Sequence, residues 1–439
     1  MKKVTRSAFW IAAFVLLTAA PLLIILAGPR PAGRQFWRDF SVGLGFAGLS
    51  LMGMQSVPTA RLRFLSDTFP MDTLYYFHHR ISLISLALVV AHPLILILNN
   101  PHVLRLLNVF RAPTTAQAGV IALLAAAVLV YTSVWRKEVR LKYEPWKALH
   151  GFLALGALVL AYLHIFGVRY YTATLAQQVL WALLAALWLG MLLYVRVLKP
   201  LALARRPYAV REVVAERGDA YTVTLDPLGH SGMAFRAGQF AWLKVQSSPY
   251  SIMEHPFSFS SSASQGGAMQ FTIRELGDFT STVKDVPPGA RVWVDGPYGT
   301  FGVDDYADAP GLVLLAGGVG IVPFRSILRT LADRGDERPI ILMYGSYSWD
   351  VAIFREELEE LRQRLNLRVV HTFEAPPPDW HGEKGYINAA MLARHLPTDR
   401  DGWRYLLCGP LAMIHAVEAA LQQLGVPRGQ VHSELYDMA

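Results

Sequence analysis

Six long apolar stretches before residue 200 constrain this chain more than any other feature of its sequence. They are Ser7–Gly28, Phe36–Val57, Leu74–Leu98, Gln117–Trp135, Trp146–Phe166 and Ala176–Leu198. Each has the roughly 20 residues that a helix needs to cross a bilayer. The sequence therefore predicts six membrane spans and excludes a single water-soluble domain. The first stretch is too long for the apolar part of a secretion signal, so we expect it to be retained.

The charge of the chain changes sign near residue 206. Residues 1–206 hold 21 Lys and Arg against 5 Asp and Glu, whereas residues 207–439 hold 20 against 28. The basic excess flanks the apolar stretches, where it indicates membrane topology and not binding to nucleic acid. With a cytoplasmic N-terminus, the inner segments hold 14 Lys and Arg and the outer segments 6. The sequence therefore predicts a multi-pass protein of the inner (plasma) membrane, surrounded by lipid, with both termini in the cytoplasm.

Four histidines in the third and fifth stretches share one spacing. His78 and His92 are 14 residues apart, and so are His150 and His164. Fourteen residues are close to four helical turns, so both members of a pair lie on one face, about 21 Å apart along the axis. Both stretches run outward from the cytoplasm. His78 should therefore lie level with His150, and His92 level with His164.

Two such pairs predict two b-type haems, one towards each side of the bilayer, because neutral imidazoles on facing helices are good axial ligands of haem iron. A lone histidine in a span is also compatible with a hydrogen-bonded core residue or a proton relay. His79 is an alternative to His78, although its spacing of 13 residues from His92 turns it towards another face. His102 falls in an outer loop. Cys408 is the one cysteine, so neither a disulfide nor a Cys-ligated cluster is expected.

Short strands follow the basic, proline-punctuated stretch from Lys199 to Pro207. Five of them predict a small antiparallel barrel: Tyr208–Val214, Ala220–Leu225, Gln239–Val245, Met269–Ile273 and Arg291–Val294. From Gly311 strands alternate with helices, which predicts a doubly wound parallel α/β sheet. Its strands are Gly311–Leu315, Ile340–Tyr344, Leu367–Phe373 and Tyr405–Leu407, and its helices are Phe324–Asp333 and Ala352–Leu365. We expect three domains, at residues 1–206, 207–308 and 309–439.

Five motifs follow one another along this second half. They are His255-Pro256-Phe257-Ser258-Phe259-Ser260-Ser261, Phe271-Thr272-Ile273-Arg274 with Gly277, Asp278 and Thr280, Val294-Asp295-Gly296-Pro297-Tyr298-Gly299, Ala316-Gly317-Gly318-Val319-Gly320-Ile321-Val322-Pro323-Phe324, and Cys408-Gly409-Pro410. In this order they resemble the ferredoxin–NADP reductase-type dehydrogenase module. Behind six spans with paired histidines, the whole chain resembles the ferric reductase/NADPH oxidase superfamily, in its bacterial type.

The resemblance implies that the barrel binds FAD. The residues that would line the flavin are His255, Pro256, Phe257 and Ser258. Arg274, Gly277 and Thr280 suit a pyrophosphate, because arginine adds charge-assisted hydrogen bonds and glycine allows close approach of the backbone. The simpler alternatives are an ordinary strand edge and a lone surface arginine.

The resemblance also implies that the last domain binds NADPH or NADH. Glycines between a strand and a helix let backbone N–H groups meet a phosphate. The implied contacts are Gly317, Gly318, Gly320, Pro323, Tyr344, Gly345, Ser346, Gly409 and Pro410. As catalytic residues, Cys408 would lie near the nicotinamide and Tyr436 over the flavin, the alternatives being a small core residue and a packing tyrosine. NADPH-selective members often carry an arginine just after Ser346, but the next one here is Arg355, so NADH is a serious candidate.

The implied activity is electron transfer from NAD(P)H through FAD and the two haems to an acceptor outside the membrane. No side chain needs to act as a nucleophile. Ferric chelate is slightly favoured over reduction of dioxygen to superoxide, because Leu96 stands where eukaryotic oxidases carry another histidine. The outer loop Gly167–Leu175 is also too short for a large cap. A quinone, or a partner protein served by an electron-relay subunit, is the alternative acceptor. A proton-pathway transporter would leave the dehydrogenase motifs unexplained, and the sequence does not specify the oligomeric state.

Overall fold

The computed structural model describes residues 2–27 and 35–435, in two compact units. The first unit ends at Lys199, and the second comprises the residues from Pro200 onward together with Pro70–Asp72. The predicted fold class is confirmed, since the chain forms six long apolar helices, a curled antiparallel sheet and a parallel sheet flanked by helices. Gly28, the end of the first predicted span, lies outside the described residues. Each unit is considered separately below.

The first unit is helical, because a segment in lipid must satisfy its backbone polar groups internally. Its helices are α1 (Lys2–Ala27), α2 (Phe36–Met54), α3 (Ser56–Thr59), α4 (Arg63–Ser66), α5 (Met71–Asn99), α6 (Thr114–Val134), α7 (Tyr143–Val168) and α8 (Leu175–Leu193). A π-helical turn, Tyr194–Leu198, continues α8 into α9 (Lys199–Ala204), and a 3-10 helix, Pro101–Leu107, follows α5. Among the described residues six helices are long and apolar enough to span a membrane, as the sequence predicts.

Helices α6 and α7 pack closely along a face of small residues. Ala118, Ala122 and Ala126 recur every four residues on α6 and are buried, as is Ala157 on α7. Small side chains let two helix backbones approach where lipid gives little hydrophobic driving force. This packing fixes the positions of the polar side chains that α6 and α7 present to each other.

The second unit begins with an antiparallel sheet. Its strands are β1 (Tyr208–Glu216), β2 (Ala220–Pro227), β3 (Phe240–Val245), β4 (His255–Ser258), β5 (Met269–Arg274) and β6 (Arg291–Tyr298). Their order is β4-β3-β6-β1-β2-β5. The edge strands come together at a bridge between Phe259 and Phe271, two fully buried side chains of the barrel core. The sheet therefore curls into a barrel whose seam lies at β4 and β5.

A parallel sheet follows. Its elements are β7 (Leu312–Gly317), α10 (Ile321–Arg334), β8 (Ile340–Ser346), α11 (Arg355–Arg362), β9 (Leu367–Phe373), β10 (Glu383–Lys384), α12 (Ala389–His395), β11 (Arg404–Gly409), α13 (Leu411–Gln423) and β12 (Val431–Leu435). The strand order is β10-β9-β8-β7-β11-β12, and apolar clusters cover both faces. Strands β8, β9 and β10 are added in turn on one side of β7, and β11 and β12 are added on its other side. The order reverses between β7 and β11, which is where doubly wound sheets form a binding crevice.

The boundaries differ from the prediction mainly at one helix. We expect a helix over Ala352–Leu365, but α11 begins at Arg355 and ends at Arg362. Phe354 has a φ of +62°, a left-handed conformation that an α-helix cannot contain, so the chain turns there before the helix starts. The apolar residues before it, Ala352 and Ile353, are buried as loop residues in the core.

Candidate cofactor sites

One pair of predicted ligands, the outer pair, is His92 on α5 and His164 on α7. Their ring centroids lie 6.4 Å apart with an interplanar angle of 62°. Two imidazoles that share one metal ion at a metal–nitrogen distance of about 2 Å have centroids roughly 6 Å apart. Both rings line a cavity of about 580 Å³, the outer cavity, whose walls come from α2, α5, α6 and α7.

The other pair, the inner pair, is His78 on α5 and His150 on α7. Its ring centroids lie 6.2 Å apart with an interplanar angle of 54°. The neighbouring His79 is exposed on the surface of this unit. The structure thus brings His78, and not His79, opposite His150, at a spacing that again accommodates one shared metal ion.

Hydrogen bonds at Nδ1 fix the tautomers of the outer pair. The Nδ1 atom of His164 lies 2.8 Å from the carbonyl oxygen of Thr115, which can only accept a proton. The Nδ1 atom of His92 lies 3.1 Å from the carbonyl oxygen of Ser41 and 2.9 Å from its Oγ. That hydroxyl already donates to the His92 carbonyl. Nδ1 therefore carries the proton on both rings, and the Nε2 lone pair is available to a metal.

The same reasoning applies to one ring of the inner pair. The Ser133 hydroxyl donates to the Leu129 carbonyl and accepts from Nε1 of Trp146. Its one proton is used, so the contact of 3.2 Å with His150 requires that Nδ1 of His150 donates. Nδ1 of His78 is buried and, within residues 2–27 and 35–435, has no hydrogen-bond partner. The inner pair is thus held by fewer and longer hydrogen bonds than the outer pair.

These four residues fit bis-imidazole ligation of a haem. In the described part of the chain no group of three or more His, Cys, Asp or Glu side chains is placed to hold a metal ion. A metal ion between two imidazoles then needs further donors, which a porphyrin supplies. The outer pair also has a glycine against each ring: a Cβ on Gly45 would lie 3.2 Å from Cγ of His92, and one on Gly119 would lie 2.8 Å from Nδ1 of His164.

The segment that holds His102, predicted as an outer loop, forms part of the wall of the outer cavity. The 3-10 helix Pro101–Leu107 contributes Val103, Leu106 and Leu107 to the cavity wall, and Tyr171 contributes from the loop before α8. The short loop that we expected to leave the site uncapped is therefore supplemented by the α5–α6 connection. Polar side chains also line this cavity, namely Gln35, Arg38, Asn99 and Asn100.

The predicted flavin-lining residues form the edge strand of the barrel. His255, Pro256, Phe257 and Ser258 constitute β4, which pairs with β3 on one side. Proline is tolerated in edge strands because its missing N–H faces away from the ladder. The ring of His255 stacks on Phe279 at 3.9 Å, with an interplanar angle of 16°. The edge therefore presents a small aromatic surface beside backbone groups.

Arg274, at the end of β5, approaches the glycine-rich turn of the parallel sheet. Its Nη1 atom lies 3.6 Å from the position of a Cβ on Gly318. In the described part of the chain this guanidinium has no hydrogen-bond or ion-pair partner. The Thr280 hydroxyl, in contrast, accepts from the N–H groups of Leu276 and Gly277 at 2.8 and 2.9 Å. Thr280 thus shapes the loop around Gly277, while Arg274 is the group available to an anion.

The glycines of the turn and of β11 line the crevice between β7 and β11. Gly318 has a φ of +53°, which favours glycine. A Cβ on Gly320 would lie 2.1 Å from the carbonyl oxygen of Cys408, and one on Gly409 would lie 3.1 Å from N of Gly317. The absence of side chains lets the start of α10 and the β11–α13 turn, which begins at Pro410, come together. Backbone N–H groups there can meet a phosphate.

Other predicted contacts are placed in the core. Pro323 is buried in the first turn of α10, where its missing N–H costs no helix hydrogen bond. Tyr344 is fully buried, its hydroxyl accepts from the N–H of Ile353 at 3.0 Å, and burial raises its pKa. Gly345 and Ser346 follow at the carboxyl end of β8. Cys408 is fully buried in the core below α10, so Tyr344 and Cys408 shape the crevice from beneath.

Tyr436 lies outside the described residues, but a nearby carboxyl was missed by the sequence reasoning. Glu434 on β12 lies with its Oε1 atom 3.6 Å from the position of a Cβ on Gly299, where the barrel sheet ends. Its Oε2 atom is buried and has no hydrogen-bond partner among the described residues, and burial raises the pKa of Glu434 to about 8. In this segment the sequence predicts a role only for the aromatic residue Tyr436. Nothing in the sequence indicates that the carboxyl of Glu434 is buried.

Comparison with known proteins divides the chain as its structure does. Residues 44–161 match the family described as ferric reductase like transmembrane component, and residues 314–419 match the oxidoreductase NAD-binding domain. Ferredoxin–NADP reductase B of Sorangium cellulosum is 31% identical over 238 residues, which cover 52% of this chain and 92% of that protein. The second half of the chain belongs to the ferredoxin–NADP reductase family. The chain joins a ferric reductase-like transmembrane component to this reductase module.

Further relatives match the reductase module in the second half of the chain. NADH-cytochrome b5 reductase 1 of Cryptococcus neoformans is 31% identical over 173 residues, or 37% of this chain, and the chain spans 58% of that relative's length. The crystal structure of the Amycolatopsis cytochrome P450 reductase has 25% identity and a TM-score of 0.46, over 53% of this chain and 69% of that one.

Proposed function

We propose that this transmembrane NAD(P)H-dependent oxidoreductase moves electrons through FAD and two b-type haems to an acceptor beyond the membrane, with ferric chelate favoured. The observation that carries the proposal is the pair of facing imidazole couples, 6.2 and 6.4 Å between ring centroids. The termini and the reductase module would lie in the cytoplasm, where reduced nicotinamide cofactors are available, and the membrane would be the inner (plasma) membrane.

The reductase module has residues suited to both nucleotides. We assign the flavin to the β4 edge, with His255, Phe257 and Ser258 beside it, and its pyrophosphate to Arg274. We assign NAD(P)H to the crevice between β7 and β11, with its phosphates at the turn Gly317–Gly320. The N-terminus of α10 adds a favourable field for negative charge there.

The helical unit has residues suited to two haems. His78 and His150 would hold the inner haem, and His92 and His164 the outer one. A flavin held at the β4 edge would supply the conversion of a hydride's electron pair into single electrons, the form in which haem iron accepts them. The chain's own residues keep Nε2 of His92, His164 and His150 unprotonated by holding the proton at Nδ1. Apolar side chains of α2 and α6 line the outer cavity beside the rings of His92 and His164.

The acceptor assignment rests on the outer cavity. Leu96 lies in its wall, so an apolar group occupies the position one turn beyond His92. Arg38, Gln35 and Asn99 offer donors to an oxygen-rich ligand, and Asn99 Nδ2 already donates to Gln35 Oε1 at 3.3 Å. A ferric ion chelated by carboxylates matches this combination of cation and amides. Dioxygen, a quinone and a partner protein are the competing acceptors.

Turnover by the purified full-length protein in liposomes tests the proposal. NAD(P)H is supplied on the side of the reductase module, and a ferric chelate with a ferrous-specific chromophore is supplied on the other side. We expect ferrous product, and we expect its loss in His92→Ala but not in the matched variant His102→Ala, whose histidine lies in an exposed segment. Electrons captured by a superoxide dismutase-sensitive reporter would support the oxidase alternative. NAD(P)H oxidation with neither acceptor would contradict the proposal.

A further inference from the structure

The hydrogen bonds at Nδ1 differ between the two histidine pairs in a way that affects any iron bound there. In the outer pair both rings donate to backbone carbonyl oxygens, of Ser41 at 3.1 Å and of Thr115 at 2.8 Å, and His92 also donates to Ser41 Oγ at 2.9 Å. In the inner pair His150 donates to one hydroxyl, Ser133 Oγ at 3.2 Å, and Nδ1 of His78 has no hydrogen-bond partner among the residues that the structure describes. The outer imidazoles are therefore the more strongly polarised.

Polarisation of an axial imidazole changes the potential of the metal it binds. A strong acceptor at Nδ1 pulls the proton away from the ring and makes Nε2 a more basic donor. A more basic ligand stabilises the more positively charged ferric state relative to the ferrous state. Second-shell hydrogen bonds are for this reason one of the main controls on haem potential. The outer pair should hold its iron at the lower potential.

Two arginines near the inner pair also favour a higher potential for the inner haem than for the outer one. The Nη2 atom of Arg196 lies 3.5 Å from the position of a Cβ on Gly151, next to His150. Arg136 lies over the ring of Trp146, 5.5 Å from its centroid, and Trp146 lies 5.3 Å from the ring of His150. Cations near the inner pair disfavour the ferric state and raise its potential.

An arginine lies near the outer pair as well. Arg38 lines the outer cavity, and Asp39 beside it carries the opposite charge and accepts a hydrogen bond from Tyr171. Arg38 and Arg196 are both exposed, so solvent and salt weaken both fields. The hydrogen bonds at Nδ1 are thus the main difference between the inner and the outer histidine pair.

We propose that Ser41 and Ser133 are positioning residues that set the two haem potentials separately, with the outer haem the lower of the two. The inference rests on the proposed function, since it requires both haems. Ser41 acts through His92, and Ser133 acts through His150.

A potentiometric titration of the full-length haem-loaded protein, followed at the haem α band, tests the inference. We expect two midpoint potentials in the unmodified protein. Ser41→Ala should raise only the lower potential, because one acceptor of His92 is lost while the Ser41 carbonyl remains. Ser133→Ala should raise only the higher potential. Ser41→Thr and Ser133→Thr keep the hydroxyl groups and should restore the original values.

Ser85→Ala is the matched control for disturbed packing. Ser85 is buried on α5 and its hydroxyl donates to the Gly48 carbonyl of α2 at 2.7 Å, so it joins the same two helices without touching a histidine. Both potentials should stay unchanged in this variant. A shift of the higher potential by Ser41→Ala, no shift by either serine variant, or an equal shift by Ser85→Ala would overturn the inference. A protein without haem would contradict the proposed function itself, which haem quantification before titration reveals.

Discussion

Gly119 on α6 lies directly against the imidazole of His164 on α7. A Cβ on this glycine would lie 2.8 Å from Nδ1 and 3.0 Å from Cγ of the ring. A carbon atom this close to the ring would overlap with it, so the imidazole or the backbone of α6 would have to move. The ring and the helix backbone cannot both stay in place if this residue carries a side chain.

Gly119→Ala should therefore displace His164 and release the outer haem. The added methyl group also competes with the Nδ1 hydrogen bond to Thr115, so both the position and the tautomer of the ring are affected. We expect haem per chain, measured as pyridine haemochrome, to fall by half while the inner haem stays. Gly156→Ala is the matched control, because nothing lies within 4 Å of its added carbon. Full haem content in Gly119→Ala would show that His164 is not a ligand.

Gly320→Ala should separate α10 from β11. The added carbon would lie 2.1 Å from the Cys408 carbonyl oxygen, and overpacking of this kind costs about 1–3 kcal/mol. We expect reduction of bound flavin by NAD(P)H to slow under anaerobic conditions, since the glycine turn loses its position. Gly429→Ala, on an open surface, should leave the rate unchanged. Equal rates in both variants would exclude the crevice as the nucleotide site.

Arg274→Gln should weaken the binding of FAD. Hydrogen bonds to charged groups contribute about 1.5–3 kcal/mol, which corresponds to a loss of affinity of roughly 10- to 100-fold. The measurement is the fluorescence of flavin released on dilution of the full-length protein. Arg291→Gln removes an exposed arginine from β6 and serves as the control. Unchanged FAD affinity in Arg274→Gln would contradict the assignment of the Arg274 guanidinium to the FAD pyrophosphate.

His371→Phe should make the parallel sheet less sensitive to acid. Burial lowers the pKa of His371 to about 4, and neither ring nitrogen has a hydrogen-bond partner in the described part of the chain. The unfolded chain binds a proton near pH 6.5 and the folded chain does not, so stability falls as pH drops from 6.5 towards 4, by roughly 3 kcal/mol at most. Phenylalanine keeps the stacking on Phe373 and removes this loss. Hydrogen exchange at β8 and β9, compared between pH 7 and pH 5, should show a smaller change in the variant; equal changes would contradict the expectation.

The elements that sequence patterns predicted well are those with strong local signals. Apolar length identified the six spans, and β9 runs over Leu367–Phe373 as expected. The equal spacing of the histidines indicated which rings should face each other, because helical periodicity relates sequence distance directly to position on a face. The glycine turn was predicted for the same reason, since a strand and a helix flank it.

The partners that tune these residues could not be predicted, because they come from distant parts of the chain. Ser41 precedes His92 by 51 residues, and Thr115 precedes His164 by 49. Only the packing of α2 on α5 and of α6 on α7 brings them together. The sequence predicts the same role for Tyr344, Gly345 and Ser346, namely contact with the nucleotide. Only the fold shows that the ring of Tyr344 lies in the core. The sequence predicts a solvent-exposed loop at Pro101–Leu107. The cavity that Leu106 and Leu107 line exists only once the helices have packed, so the sequence alone could not indicate their role.

The amount of iron porphyrin bound by the full-length protein tests the central claim most directly. The protein is produced with sufficient haem, purified, and analysed as pyridine haemochrome against its protein concentration. The account predicts two b-type haems per chain, with a low-spin spectrum after reduction. A folded chain that holds no haem under these conditions would contradict it.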